Sequence, residues 1–290
     1  MGPTASGKTD VAIKVAARLG AEIISVDSMQ IYRGMDIGTA KPNLAERRGV
    51  RHHLIDVVDP EEEFSVAEFR RMGRRIIETS DVPLVVTGGS GLHFRSLVDP
   101  MQFSPTDTQL KKELEKMDSA ELVTELFAAD PQAGLHVDVA NQRRVIRAVE
   151  ITRLGGATPS ARANSAEAQD IRDYIPEIEF TAVGTDPGGR LDSRIDHRLA
   201  EMKSQGLVDE VLPLQDRLGR TAGRAVGYRE ILTYLDGSIS EKSAFELAGR
   251  NTKKLAKKQR TWFRQDPRIN WIPWSDDDDV RTAKVLEALS

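Results

Sequence analysis

GPTASGKT, residues 2–9, decides how the rest of the chain is read. Gly2, Gly7, Lys8 and Thr9 satisfy G-x-x-x-x-G-K-[ST], the spacing of a loop that wraps a phosphate in backbone N–H groups. Such a loop ordinarily leaves a buried strand and opens a helix. DVAIKVAARLG (10–20) supplies the helix, with Val11, Ile13, Val15, Ala16 and Leu19 apolar and Gly20 as a stop. No strand precedes it, because Met1 alone stands ahead of Gly2. The expectation is a sheet lacking its first strand, with Met1 an internal start and the native product beginning upstream.

Working outward, AEIISVDS (21–28), HHLIDVV (52–58) and VPLVVTGG (82–89) read as buried strands, and EFSVAEFRRMGRRIIE (63–78) has helical spacing. Alternating strands and helices indicate an α/β fold with a parallel sheet. Ligands in such sheets bind at the carboxyl ends of the strands. Gly2 to Thr9, Asp27 and Gly88 to Gly91 are therefore expected at one edge. From residue 104 to 176 the texture changes. TDTQLKKELEKM (106–117), SAELVTELFAAD (119–130) and NQRRVIRAVEITRLG (141–155) are helical with no strand between them, and GGATPSARANSAEAQ (155–169) reads as loose chain. IEFTAVGTD (178–186) resumes the strand pattern, SRIDHRLAEMKSQG (193–206) and residues 244–265 read as helices, and NWIPW (270–274) as a last strand. The predicted organisation is a P-loop core of residues 1–103 and 177–290 carrying an all-helical insertion of residues 104–176.

Composition sets outer limits. Of 290 residues, 39% are hydrophobic and 30% charged, as in a globular protein. The absence of cysteine excludes a disulfide framework, zinc-finger ligation and a thiol nucleophile, and suits a reducing, cytoplasmic setting. No apolar run approaches the roughly 18 residues of a membrane span. The net charge of −4 argues weakly against a nucleic-acid partner, yet it conceals an asymmetry. Arg250, Lys253, Lys254, Lys257, Lys258, Arg260 and Arg264 occupy one segment without a single acid, whereas Asp276 to Asp279 form an acidic patch. Lys253, Lys257, Arg260 and Arg264 recur at i, i+4, i+7, i+11, a continuous helical stripe suited to a phosphate backbone, with Leu255 and Trp262 left to anchor the helix.

The loop's amides and the helix N-terminus concentrate positive potential on a phosphate. Lys8 would neutralise charge and Thr9 would place its hydroxyl on Mg²⁺. Asp27 can be read as a proton acceptor beside that site or as an acid for the Mg²⁺. By itself this describes an ATP-using kinase or ATPase as well as any other P-loop enzyme, or an RNA-binding module with a vestigial loop. The run from Tyr32 to Pro42 is long and irregular for a strand's carboxyl end, and such loops usually bind something.

At that run the chain becomes recognisable. GPTASGKT, VDSMQIYRGMDIGTAKP (26–42), GGSGLHF (88–94), AVGYRE (225–230) and LAKKQRTWFR (255–264), in this order, resemble the tRNA dimethylallyltransferases of bacterial type. The resemblance implies that Gly2, Pro3, Thr4, Ala5, Ser6, Gly7, Lys8 and Thr9 hold the diphosphate of dimethylallyl diphosphate rather than ATP, with Mg²⁺ at Thr9. It implies transfer of the prenyl group to N6 of the adenosine 3′ to the anticodon. Asp27 matches the family's catalytic aspartate, Thr4 the threonine near the departing oxygen, and Arg224 the arginine on the pyrophosphate. Asp27, Ser28, Met29, Gln30 and Ser90 match residues lining the tRNA contact. Lys111 and the segment Gln142, Arg143, Arg144, Val145, Ile146 match further tRNA contacts, joined by Lys253, Lys257 and Arg260 of the basic stripe. A monomer binding the anticodon stem-loop, with no membrane partner, is expected. The cysteine–histidine zinc module of eukaryotic relatives is absent from the sequence.

Overall fold

The computed structural model describes residues 1–289. The chain divides into two compact units, one formed by residues 1–97 and 179–290 and the other by Val98–Ile178.

In the first unit, α1 (Lys8–Leu19) starts at Gly7, whose φ of 66° is easy only for glycine, and ends at Gly20, φ 61°. It buries Val11, Ala12, Ile13, Val15 and Ala16 along one face. Next come β1 (Glu22–Ser25), β2 (His52–His53), α2 (Val66–Thr79), β3 (Leu84–Thr87) and α3 (Gly91–Val98). The three strands form a parallel sheet in the order β2-β1-β3. The strand expected over residues 52–58 stops after His53, because Leu54 and Asp56 have φ of 60° and 56° and leave the extended region. Val58 rejoins the fold only as an isolated bridge to Tyr32. Ser65 caps α2 by accepting from the Glu68 N–H, and Gly73 lets α2 approach α3, since a Cβ there would lie 2.3 Å from Leu97.

The second unit holds α4 (Thr108–Leu114), α5 (Ser119–Ala129), α6 (Gln142–Arg153), α7 (Pro159–Ala163) and α8 (Ala166–Arg172). Leu114, Leu122, Leu126, Val145, Ile146 and Val149 form its core. The segment read as loose chain contains α7 and α8, which the sequence reading missed. Their start signals were present: Thr158 caps Ala161 with Pro159 at the first helical position, and Ser165 caps Ala168.

The first unit resumes with β4 (Ala182–Gly184), α9 (Leu191–Ser204), α10 (Leu207–Val211), α11 (Tyr228–Leu235), α12 (Glu241–Gln265), β5 (Ile269–Trp271) and α13 (Asp278–Leu289). β4 and β5 pair in parallel as a separate two-stranded sheet. Among the described residues no strand precedes the 2–9 loop. Met1 nevertheless pairs with β4 on the edge that β5 leaves free, its amine donating to Val183 O (2.5 Å) and its carbonyl accepting from Thr185 N–H (2.9 Å). Burial, with the Lys8 ammonium nearby, pushes that amine down to about 5. The chain thus enters the loop from a β4-paired residue. No helix among the described residues is long and apolar enough to cross a membrane.

Candidate functional site

Parallel strands bring their carboxyl ends to one edge, and the loops that leave them meet there. Beyond β1 and β3, Val26 N–H donates to Thr87 O (2.8 Å) and Ser90 N–H donates to Val26 O (3.1 Å), locking Asp27 beside the GGSG loop. The glycines of that loop are required by close approach. A Cβ on Gly88 would lie 2.4 Å from Val26 O, one on Gly89 2.6 Å from the Gln259 amide, and one on Gly91 2.0 Å from the Trp262 ring. α12 therefore lies directly on this loop, through Gln259 and Trp262. Gln259 also accepts from the Thr4 N–H (2.8 Å), which ties α12 to the 2–9 loop.

Three cavities meet at this edge. A small one of about 50 Å³ is lined by Thr4, Lys8, Thr9, Asp27 and Arg198 among others. A second, of about 110 Å³, shares Thr4, Asp27, Thr39 and Arg198 and adds Met29, Val226 and Gln259. A third, of about 830 Å³, is open and carries Lys8, Thr9, Lys41, Arg194, His197 and Arg198. Thr4 and Asp27 thus stand where the first two spaces meet, and Lys8 and Thr9 where the first meets the third.

The electrostatics are set by burial. Lys8 donates to Pro3 O at 3.2 Å. Loss of solvent and the nearby Arg198 guanidinium push its ammonium down to about 8, against the pull of Asp27. Burial also lowers Arg198, again opposed by Asp27 and then Asp10. Arg198 donates to Thr4 Oγ1 (3.3 Å), and Arg194 Nε donates to Ala5 O (2.8 Å), so α9 supports the loop from one side. Arg281, fully buried at the start of α13, supports it from another, beside Gly7 and over the Trp274 ring. Asp27 Oδ1 accepts from the Met29 N–H (2.9 Å). His93 is pushed down to about 4 by burial, with Asp27 opposing, so its ring is neutral at physiological pH. Its Nδ1 lies 2.6 Å from Ser90 Oγ and fixes that hydroxyl next to Asp27's loop.

Not every residue singled out from the sequence reaches these cavities. Thr4, Ala5, Gly7, Lys8, Thr9, Asp27, Met29 and Gln30 line one or more of them, whereas Gly2, Pro3, Ser6 and Ser28 do not. Gly2 is held against Thr185 O, and Ser6 is buried in the loop's interior. Arg224 is exposed and lines none of the three, although Ala225, Val226 and Gly227 line the second. In the Val98–Ile178 unit, Lys111, Gln142, Arg143 and Arg144 are exposed, but Val145 and Ile146 are core residues whose side chains are unavailable to a ligand. The basic stripe is less free than its sequence suggested. Lys253 pairs with Asp196 (2.8 Å), and Arg260 and Arg264 both pair with Asp186 (2.7 and 2.9 Å). Lys257 is exposed. Leu255 does not anchor α12: it is 38% exposed and lines the second cavity, while Ala248, Ala256 and Phe263 are buried.

Sequence reasoning missed Arg194, Arg198, Gln259 and His93. The arginines did leave a signal, being four apart on one helix face, the spacing that lets both reach a single neighbour. Gln259 stands inside the 255–264 motif, but its contact with Thr4 depends on where α12 lies.

Residues 30–266 match the family model described as IPP transferase. A tRNA dimethylallyltransferase from Bifidobacterium animalis subsp. lactis is 42% identical over 285 residues, covering 94% of this chain and 80% of that protein. Another from Moorella thermoacetica is also 42% identical, covering 96% and 89%. The crystal structure of the full-length tRNA isopentenylpyrophosphate transferase from Bacillus halodurans superposes with a TM-score of 0.69 at 34% identity, over 99% of this chain and 94% of that one. With its site motifs assembled at one sheet edge and likeness along nearly its whole length, the chain belongs to the IPP transferase family.

Proposed function

We propose that the chain is a tRNA dimethylallyltransferase, moving the dimethylallyl group from dimethylallyl diphosphate to N6 of the adenosine 3′ to the anticodon and releasing diphosphate. The observation that supports this reading is the sharing of one space by Asp27, Thr4, Lys8, Thr9 and Arg198: a carboxylate beside two cationic side chains suited to a phosphate.

Cleavage of the allylic C–O bond leaves several negative charges on the departing diphosphate. The 2–9 loop amides, Lys8 and Arg198 are fixed before the reaction, so they stabilise that charge without reorganising. Thr4 Oγ1, held by Arg198, faces the space where the departing oxygen would lie. Arg224 borders the Ala225–Gly227 wall and would reach the diphosphate only by turning inward. The Thr9 hydroxyl, lining the same cavity as Lys8, would suit Mg²⁺, which takes one or two protein oxygens and fills its remaining positions with phosphate and water. When bound, Mg²⁺ would neutralise charge on the leaving group.

The adenine amine is a weak nucleophile because its lone pair is delocalised into the ring. Asp27 accepts the N6 proton as the new N–C bond forms. The base must leave the anticodon-loop stack to reach Asp27, and a neutral His93 holding Ser90 keeps a further positive charge away from that entry. The P-loop core binds the prenyl donor in this scheme. The helical unit, through Lys111, Gln142, Arg143 and Arg144, contacts the tRNA.

Incubation with labelled dimethylallyl diphosphate or labelled ATP, each with and without tRNA, tests the reading. The expected result is label in tRNA from the prenyl donor only. Phosphorylation of a small molecule from ATP, with no prenylated tRNA, would replace this function with that of a kinase.

A further inference from the structure

Glu210, on the short helix α10, gathers four hydrogen-bond donors. Its Oε2 accepts from the backbone N–H groups of Asp36 (3.0 Å) and Ile37 (2.7 Å). Its Oε1 accepts from the Gly38 N–H (3.1 Å) and from the Tyr228 hydroxyl (2.5 Å). Three consecutive amides converging on one carboxylate form a fixed cradle, of the kind that backbone nests make for anions. The packing around it leaves little freedom. A Cβ on Gly38 would lie 2.4 Å from the Tyr228 ring and 3.0 Å from Leu207, and Tyr228 is fully buried.

The two segments joined at Glu210 are both walls of the second cavity. Gly38 and Thr39 line it from one segment, and Ala225, Val226 and Gly227, directly before Tyr228, line it from the other. The same cavity holds Thr4 and Asp27. From Thr39 the connection continues inward, because Gln30 Nε2 donates to Thr39 O (3.2 Å) and Ala40 O (3.3 Å), and Ser25 Oγ donates to Gln30 Oε1 (3.0 Å). Glu210 contacts none of the cavity's reacting groups itself.

We infer that Glu210 is a positioning residue, whose carboxylate fixes the 36–39 and 225–228 walls against each other so that the space beside Asp27 keeps the geometry of transfer. This rests on the transferase reading above, in which that space receives the reacting groups. A negative charge is required, since an amide in its place would turn an NH₂ group toward backbone N–H donors. Losing this anchor is expected to slow the chemical step more than to weaken the diphosphate's hold, because the diphosphate cradle is built by other residues. Displacements of about 1 Å cost on the order of 10²-fold in rate.

Glu210→Gln in the full chain tests this with two readouts. Hydrogen exchange at Asp36, Ile37 and Gly38 is expected to accelerate by about tenfold or more, while α1 and α6 keep their protection. The single-turnover rate of prenyl transfer at saturating dimethylallyl diphosphate is expected to fall by roughly 10- to 100-fold, with KM for the diphosphate little changed. A merely structural role would lower the folded fraction and leave the rate per folded molecule unaltered. Unchanged exchange at residues 36–38 overturns the anchor, and faster exchange with an unchanged single-turnover rate overturns its role in transfer. If Glu210→Gln does not fold, Tyr228→Phe removes one donor at constant shape. It is expected to slow transfer by a smaller factor, and an unaltered rate there also overturns the inference. A wild-type chain that prenylates no tRNA overturns the transferase reading instead, and the exchange data then decide the anchor alone.

Discussion

At the scale of single residues, Asp27 and Lys8 carry the sharpest expectations. Asp27 meets Thr4 and Lys8 in one space but takes no part in holding the 2–9 loop. Asp27→Asn is therefore expected to leave tRNA binding nearly intact and to slow prenyl transfer by roughly 10²-fold or more, the usual scale for a positioned base. Single-turnover labelling reads this directly, and a near-normal rate would remove Asp27 from the chemistry. Lys8 predicts a pH dependence. Its ammonium, lowered to about 8 by burial and Arg198, is charged below that pH and neutral above it. Diphosphate affinity should thus fall as the pH rises through about 8, and binding near that pH should take up protons. Calorimetry in buffers of differing ionisation heat measures the uptake, and Lys8→Met should abolish it. The same shift has the opposite sign for folding: between the folded value and the ordinary lysine value the unfolded chain binds more protons, so this group's contribution to stability rises with pH.

At the scale of elements, α12 governs the site by where it lies. Its Trp262 fills the space left by Gly91, and Gln259 reaches Thr4. Gly91→Ala would put a methyl 2.0 Å from the indole, and overpacking of this kind costs about 1–3 kcal/mol. A lowered melting temperature with reduced transfer is expected, and an unchanged melt would show that α12 is free to shift. The basic stripe on the same helix divides by partner. Lys257→Glu should weaken RNA binding and flatten its salt dependence, because fewer counterions are released. Arg260→Glu should instead disturb the Asp186 junction that also holds Arg264, and appear first as lost stability. Equal salt slopes for Lys257→Glu and the wild type would make the stripe solvated surface.

At the scale of the whole molecule, the two compact units separate expected functions. Exposed Arg143 and Arg144 belong to the Val98–Ile178 unit, whereas the 2–9 loop, proposed above to hold the diphosphate, lies in the other. Replacing both arginines with Glu should weaken tRNA binding and leave dimethylallyl diphosphate binding unchanged. Filter binding and calorimetry on the same sample check the pair of outcomes. A parallel loss of both affinities would contradict a division of labour. Val145 and Ile146, from the same stretch of sequence, give a different expectation: their truncation should destabilise the helical unit, since they are its core.

Local and periodic features can be read from the chain alone. The GKT spacing, the glycine stop of α1, the parallel α/β texture and the run of helices after residue 104 follow from rules spanning a few residues, so they were legible. The Thr158 and Ser165 caps were equally local, and only the glycine- and serine-rich texture around them hid α7 and α8. Every relation between distant segments comes from the folded molecule. It ended the second strand at His53 through two left-handed residues, and it paired Arg260 and Arg264 with Asp186, more than seventy positions away. It buried Val145 and Ile146 beside exposed Arg144, left Arg224 outside the cavities, and brought Arg198, Gln259 and Glu210 to loops formed by the first forty residues. The physical reason is that such partnerships cost nothing in local propensity and leave no period in the chain. A carboxylate four residues into a short helix reads as solvent-facing until three backbone amides from another segment close around it.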